Sequence, residues 1–390
     1  MQKLTSPDNQ LTVNLEAIAH NLASLRALMP DGGRVAGVVK ADAYGHGAVP
    51  VAKRLKAAGA EFLAVASLDE ALELRRAGVP GPIMLLLGLW PSEAPLALKH
   101  ELLTITSHWE VLEALAAAGR AAGRTSRAQI KVDTGMGRLG LHPPEALQLL
   151  QEAAKLEGLS ITGLVSHLAT SGQPGSDHAH KQSGDFAQLL NTARDLGHEL
   201  PDSSLAGSGG VLVPPKHAPG ASSIARLGIS LYGGLPDEGS SGLADLRSAM
   251  RFTSRLIAVK QVPAGTPVSY GCTWVAPRDT WLGAVPAGYA NGYLRSLSNK
   301  GLMLVQGKRA PVRGRVCMNL TVLELGELGP QVKVGDEVVL LGCQGNEEIT
   351  LDELAGLAGT IGYEIACALG AANPRSHSPP ARLDPAPGAG

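Results

Sequence analysis

A chain of 390 residues is long enough for two domains with cores of their own, and 44% hydrophobic against 18% charged residues marks a globular protein. A formal net charge of -1 gives no electrostatic basis for binding nucleic acid or an anionic membrane. The opening MQKLTSPDNQ lacks the apolar core of a signal peptide, and Ile83 to Trp90 is too short to span a bilayer. Cys272, Cys317, Cys343 and Cys367 are widely spaced with no CxxC pair, which points to reduced thiols in a cytoplasm rather than a disulfide framework or structural zinc.

Leu11 to Leu15 reads as a short strand, and Leu15, Ile18, Leu22, Leu25 and Leu28 then follow helical spacing up to Pro30. Short apolar runs recur at Val35–Val39, Phe62–Ala66, Ile83–Leu87, Leu102–Ile105, Gln129–Val132, Ile161–Val165, Ser204–Ala206 and Ile224–Ile229, most of them separated by amphipathic segments. Ser67-Leu68-Asp69-Glu70 and Ser107-His108-Trp109-Glu110 have the form of capping boxes, and Pro143-Pro144 suits the first turn of another helix. This alternation predicts a (β/α)8 TIM barrel over residues 11–240, with an open doubly wound sheet as the structural alternative.

A Gly/Ser/Pro-rich connection, Gly233 to Gly242, marks the expected domain boundary. Beyond it, strands are expected at Arg251–Lys260, Pro267–Tyr270, Trp281–Val285, Leu302–Gln306, Leu320–Leu325 and Glu337–Leu341. One helix is expected at Leu351–Ala358, capped by Thr350 with Glu353. The reading is a mainly β C-terminal domain over 241–372, with residues 1–10 free to pack on it, and a disordered Pro/Ala/Gly-rich tail over 373–390.

Chemistry in such a barrel sits at the C-terminal ends of the strands. Lys40 ends the first strand. Alone it is a lysine snorkelling to solvent; partly buried in a pocket, it is a neutral nucleophile fit for Schiff-base work. Lys131, Asp133 and Arg138 sit at and after the end of the fifth strand, His167 ends the sixth, Ser208 follows the seventh and Arg226 lies within the eighth. This convergence favours the functional reading of Lys40.

Eight motifs occur together: VVKADAYGHG (38–47), KVDTGMGRLG (131–140), SHLAT (166–170), ARLGISLYG (225–233), SYGCT (269–273), PAGYANGYLR (286–295), GRVCMN (314–319) and TIGYE (360–364). In this set the chain resembles the alanine racemases, pyridoxal-phosphate enzymes with an N-terminal barrel and a C-terminal β domain. The resemblance runs from about Leu11 to about Leu369. It implies that Lys40 holds pyridoxal 5'-phosphate covalently and is one catalytic base, and that Tyr270 is the other, contributed by the partner subunit of a homodimer. It further implies phosphate contacts from Tyr44, Ser208, Gly228, Ile229 and Tyr363, with Arg226 facing the pyridine nitrogen and His167 packed near the ring. Arg138 would stand near the phenolic oxygen, Lys131 would be open to carbamylation, and Met318 of the partner subunit would border the substrate carboxylate. The implied activity is interconversion of L- and D-alanine for peptidoglycan.

The residue types suit that reaction. Removing and returning a Cα proton without preference for a face calls for two bases on opposite faces. A lysine serves when desolvated, and a tyrosine when a cation favours its anion. An arginine can donate to a ring nitrogen but cannot protonate it.

Other readings stay open: a racemase of another small amino acid such as serine, a decarboxylase on the same architecture, a cofactor carrier without catalysis, or a metallohydrolase using Asp177, His178 and His180 with Lys131 and His167. Asp177-His178-Ala179-His180 falls in a loop or helix start, which favours a solvated cluster over a metal site. The chain departs from the family pattern at Asn319 and at Ser171-Gly172, where acidic residues are common, and at Asn291.

Overall fold

The computed structural model describes residues 9–215 and 223–378; expectations for residues 1–8 and 379–390 lie outside the described residues.

The first domain is a parallel barrel. Its regular strands are Arg34–Val38, Phe62–Val65, Ile83–Leu85, Leu102–Thr106, Ser126–Lys131, Leu159–Val165 and Ile224–Leu227, and six of them pair in sequence order. The ring closes on one side where Ile224–Leu227 pairs with Arg34–Val38. On the other side stands the expected seventh strand, Ser204–Ala206, which forms no regular ladder. It makes isolated bridges instead, Val165 with Ser204 and Gly207 with Arg226. Hydrogen bonds of 2.9 Å from Ser204 N to Leu164 O and from Arg226 N to Ala206 O tie it to both neighbours. The segment is short because a helix begins at once at Ser208. Phe62–Val65, Ile83–Leu85, Leu102–Thr106 and Ile224–Leu227 are buried at every position, as parallel strands covered by helices must be.

Helix Leu15–Arg26 precedes the first barrel strand, with Asn14 Oδ1 accepting from the amides of Glu16 and Ala17. It buries Leu15, Ile18, Leu22 and Leu25, while Leu28 falls beyond its end and is exposed. Buried Asn21 joins it to the chain after the last strand, donating to Leu231 O and Arg247 O and accepting from Arg247 N. At the barrel's opposite end, buried Asp202 receives Arg34 at 3.0 Å and Arg127 at 2.7 Å.

The second domain is mainly β. One sheet runs Lys308–Pro311, Leu302–Val305, Glu337–Gln344, Met250–Arg255, Gln10–Asn14, Arg375–Ser378, with Glu347–Ile349 added to Glu337–Gln344. A second consists of Ala258–Val262, Thr280–Val285 and Thr321–Glu324, and a small hairpin pairs Pro267–Val268 with Trp274–Val275. The single strand expected over Arg251–Lys260 is therefore two strands in different sheets. The chain turns the corner at Leu256 and Ile257, with Leu256 buried in the domain core. Strand Gln10–Asn14 belongs to this sheet, not to the barrel. Arg375–Ser378, read from composition as disordered, is a parallel strand beside it; the Pro/Ala/Gly-rich stretch proper lies further on. The Thr350 cap is present, with Glu353 N donating to Thr350 Oγ1 at 3.1 Å, and an additional helix, Gly362–Ala372, follows. Among the described residues no single helix is long and apolar enough to cross a membrane.

Candidate active site

The barrel mouth gathers the cationic residues. Val39, whose N–H is held by Ala64 O at 2.8 Å, ends the first strand's path, and Lys40 follows it. The next four residues are left-handed: Ala41, Asp42, Ala43 and Tyr44 have φ of 51, 54, 55 and 53°. That hand costs roughly 1–2 kcal/mol per L-residue, so the turn is held from outside itself. Lys40 is partly buried. Its pKa is lowered by desolvation and by Arg138 and Arg226, against the opposing pull of Glu70 and Cys367.

Arg226 lies wholly inside the barrel mouth. It donates to Ser204 Oγ, to Ser166 O at 2.7 Å, to Leu205 O at 3.3 Å and to His167 Nδ1 at 3.1 Å. No carboxylate faces it among these partners, and burial pulls its pKa down to about 10, so it remains a cation at neutral pH. Since His167 Nδ1 accepts, the imidazole proton sits on Nε2. Burial, then Arg226, Lys131, Arg138 and Lys40, hold its pKa down to about 3. His167 is a neutral ring.

Lys131 ends strand Ser126–Lys131. Burial, then Arg226 and Arg138, lower its pKa to about 7, with Asp133 opposing. Burial would raise the Asp133 pKa, but the amides of Gly135, Gly137 and Met136 donate to its carboxylate and win, keeping it an anion. Arg138 follows on an exposed turn.

A second cluster adjoins this one. The Tyr44 ring lies 5.1 Å from Tyr232 and 5.7 Å from Tyr363, and burial raises the pKa of both Tyr44 and Tyr363, the latter to about 12. Gly228 N donates to Ser208 Oγ at 2.9 Å, and a Cβ on Gly228 would stand 2.7 Å from the Tyr44 hydroxyl. Ile229, buried, opens the turn that follows. Tyr44, Ser208, Gly228 and Tyr363 thus converge on one place, with neutral hydroxyls and no cation among them.

Tyr270 and Met318 lie elsewhere. They stand on a solvent-facing surface of the second domain, 74% and 56% exposed. Ser269, with φ of 64°, turns Tyr270 outward, and its Oγ donates to Arg315 O at 2.6 Å beside Cys317 Sγ at 3.4 Å. Tyr289 N reaches Cys317 O at 3.1 Å, so three loops make one surface with exposed Tyr270, Tyr289 and Met318. Asn319 is exposed beside Met318, and Asn291 closes its own turn by accepting from Gly288 N at 3.2 Å.

Several contacts of the site carried no sequence signal. Buried Gln182 donates to His167 O at 3.0 Å and accepts from Ala169 N at 2.8 Å, fixing the loop after the sixth strand. Glu70 accepts from Ala41 N, and Arg375 binds the Asp42 carboxylate. Each is separated in sequence from what it holds, so no local pattern exposes it. His178 lies in the first turn of helix Asp177–Asp195 and donates from Nε2 to Gly135 O at 2.8 Å; no group of three metal-ligating side chains occurs among the described residues. A cavity of about 490 Å³ opens at the same end of the barrel between Leu68, Leu87, Trp90 and His108, and none of the candidate residues lines it.

A barrel with a lysine, an uncompensated arginine and a hydroxyl-lined glycine cradle at its mouth, carried together with a separate β domain, defines the class of two-domain barrel enzymes. Within that class the sequence is specific. Residues 13–236 match the alanine racemase N-terminal domain and residues 249–377 the alanine racemase C-terminal domain. The alanine racemase of Syntrophobacter fumaroxidans is 40% identical over 364 residues, covering 92% of this chain and 94% of that one. That of Halothermothrix orenii is 36% identical over 377 residues, covering 97% and 98%. The crystal structure of alanine racemase from Streptomyces lavendulae superposes with a TM-score of 0.87 at 37% identity, covering 96% and 98%. The chain belongs to the alanine racemase family, a family of isomerases.

Proposed function

We propose that the chain interconverts L- and D-alanine with pyridoxal 5'-phosphate and supplies D-alanine for peptidoglycan in a cytoplasm. The observation that carries the reading is the barrel mouth: a desolvated lysine, Lys40, beside a buried arginine with no carboxylate partner among the described residues, and a cradle where a Cβ at 228 would crowd the Tyr44 hydroxyl. These residues fit the cofactor. Tyr44, Ser208, Tyr363 and the backbone at Gly228 and Ile229 suit its phosphate, Arg226 its ring nitrogen and His167 one ring face. Bound there, the cofactor supplies an electron sink for the charge left at Cα when a proton is removed.

The chain's own residues do the rest. Lys40, its pKa lowered by burial, takes or returns the proton on one face. Tyr270 of the partner subunit does so on the other, in a homodimer that covers the exposed Tyr270–Met318 surface. Arg226 would serve the ring nitrogen as a donor that does not protonate it, because its pKa of about 10 keeps its proton in place. A pKa of about 7 leaves much of Lys131 neutral, as reaction with carbon dioxide requires. The resulting carbamate would give Arg138 an anionic partner near the cofactor's phenolic oxygen.

Two variants test this. Lys40→Ala should lose borohydride-reducible attachment of pyridoxal phosphate. Tyr270→Phe should keep it while losing at least about a hundredfold in alanine racemisation and solvent-deuterium entry at Cα. Release of carbon dioxide from alanine, or unimpaired racemisation by Tyr270→Phe, would defeat the proposal.

A further inference from the structure

The left-handed turn after Lys40 is four non-glycine residues long, whereas L-residues visit that region singly rather than in runs. Side chains from two distant elements hold it. At its front, Glu70 of helix Leu68–Arg76 accepts the Ala41 N–H at 2.7 Å through Oε1 and the Ala66 N–H at 2.7 Å through Oε2. One carboxylate thus links the Lys40 turn to the end of the next barrel strand. At its back, Arg375 of strand Arg375–Ser378 donates Nη1 to Gly45 O at 2.8 Å and Nη2 to an Asp42 carboxylate oxygen. The other Asp42 oxygen accepts the Ala48 N–H at 2.6 Å, tying the turn to the helix that follows. His377, on the same strand, donates to His46 O at 2.9 Å. Helix Gly362–Ala372 closes from behind, since a Cβ on Gly45 would stand 2.4 Å from Ala366 O.

We propose that Arg375, with Glu70, is a positioning residue for Lys40. The guanidinium clasps Asp42 and Gly45 and keeps the turn left-handed, which sets where the lysine amine stands at the barrel mouth. Backbone in this region persists only where its surroundings over-determine it, and Arg375 supplies two of the bonds that reach it from outside the barrel. The placement of Lys40 therefore depends on a strand of the other domain. The proposal rests on the cofactor reading only for what Lys40 then does.

The test uses the full-length protein with Arg375→Met, Arg375→Lys and Asp42→Asn. The last keeps an oxygen for the Ala48 amide and replaces the acceptor facing Arg375 with an uncharged NH2, which guards against a variant that fails to fold. Two quantities are measured: amide hydrogen exchange over residues 41–47, and the rate of pyridoxal phosphate attachment to Lys40, read by mass spectrometry after borohydride reduction. Arg375→Met and Asp42→Asn should each speed exchange about tenfold in that segment alone and slow attachment about tenfold, with Arg375→Lys in between. Unchanged exchange and attachment in both would overturn the proposal. So would faster exchange spread evenly through both domains, which would make Arg375 a residue of general stability. Should the unmodified protein attach no pyridoxal phosphate, the cofactor reading fails while the exchange comparison still decides the clasp.

Discussion

At the level of single residues, the barrel mouth is organised by positive charge that Glu70 and Asp133 only partly offset. Arg226, Lys131, Arg138 and Lys40 share one end of the barrel, and each lowers the pKa of a neighbour. Lys131 shows the cost most clearly, its pKa lowered from 10.5 to about 7. Below pH 7 both folded and unfolded chains hold that proton, and the burial penalty is fully present. Between pH 7 and 10.5 the unfolded chain holds a proton the folded chain has released, so stability rises with pH, and above 10.5 it rises no further from this group. Lys131→Met should remove that rise, seen as a urea midpoint that changes less between pH 7 and 9 in carbonate-free buffer than that of the unmodified protein. The chemical identity of these residues was legible from their strand-end positions. Their ionisation was not, because it depends on burial contributed by the whole barrel.

At the level of elements, local patterns predict structure only where the chain is free to use them. Ser67-Leu68-Asp69-Glu70 forms its capping box, with Ser67 Oγ accepting from Glu70 N and the Glu70 carboxylate accepting in return. Ser107-His108-Trp109-Glu110 has the same spacing, yet its helix starts one residue later, at Trp109, with His108 at the cap and no side-chain bond there. Ser67→Ala should therefore cost about 1 kcal/mol, and Ser107→Ala a few tenths at most, by urea denaturation. Helix Gly362–Ala372 escaped sequence reading for a related reason. Glycine weakens a helix intrinsically, but a Cβ on Gly370 would stand 2.1 Å from Gly45 O, so packing on the Lys40 turn demands it. The αβ alternation was legible because parallel strands need continuous apolar runs. The corner at Leu256 was not, since one apolar run crosses both sheets.

At the level of the whole molecule, the two domains are not beads on a string. Strand Gln10–Asn14 lies between Met250–Arg255, antiparallel, and Arg375–Ser378, parallel, so the barrel is an excursion between the first strand of the β domain and the rest of it. Composition puts the later boundary at the Gly/Ser/Pro-rich connection and leaves residues 1–10 free to pack on the β domain, but residues 11–14 read as barrel, because strand partners are not written in either strand. Deleting residues 1–14 removes the strand that joins Arg375–Ser378 to the rest of the sheet and should lower the thermal midpoint by at least about 5 °C, with calorimetry as the check. The exposed Tyr270–Met318 surface belongs to the same scale. On the two-base reading, specific racemase activity should fall on dilution in step with dissociation measured by sedimentation; activity unchanged in an isolated monomer would contradict it.

That sheet also sets a timetable for folding. During synthesis Gln10–Asn14 leaves the ribosome before the barrel, yet its neighbours at Met250–Arg255 and Arg375–Ser378 emerge only after the barrel has been made. The strand must wait with both edges unpaired, and loop closure across so long a separation is slow. Arg375 arrives with the last strand of that sheet, so the clasp on Asp42 can form only when the sheet closes. The barrel can thus assemble early while the Lys40 turn takes its final hand late, a built-in delay between folding and competence.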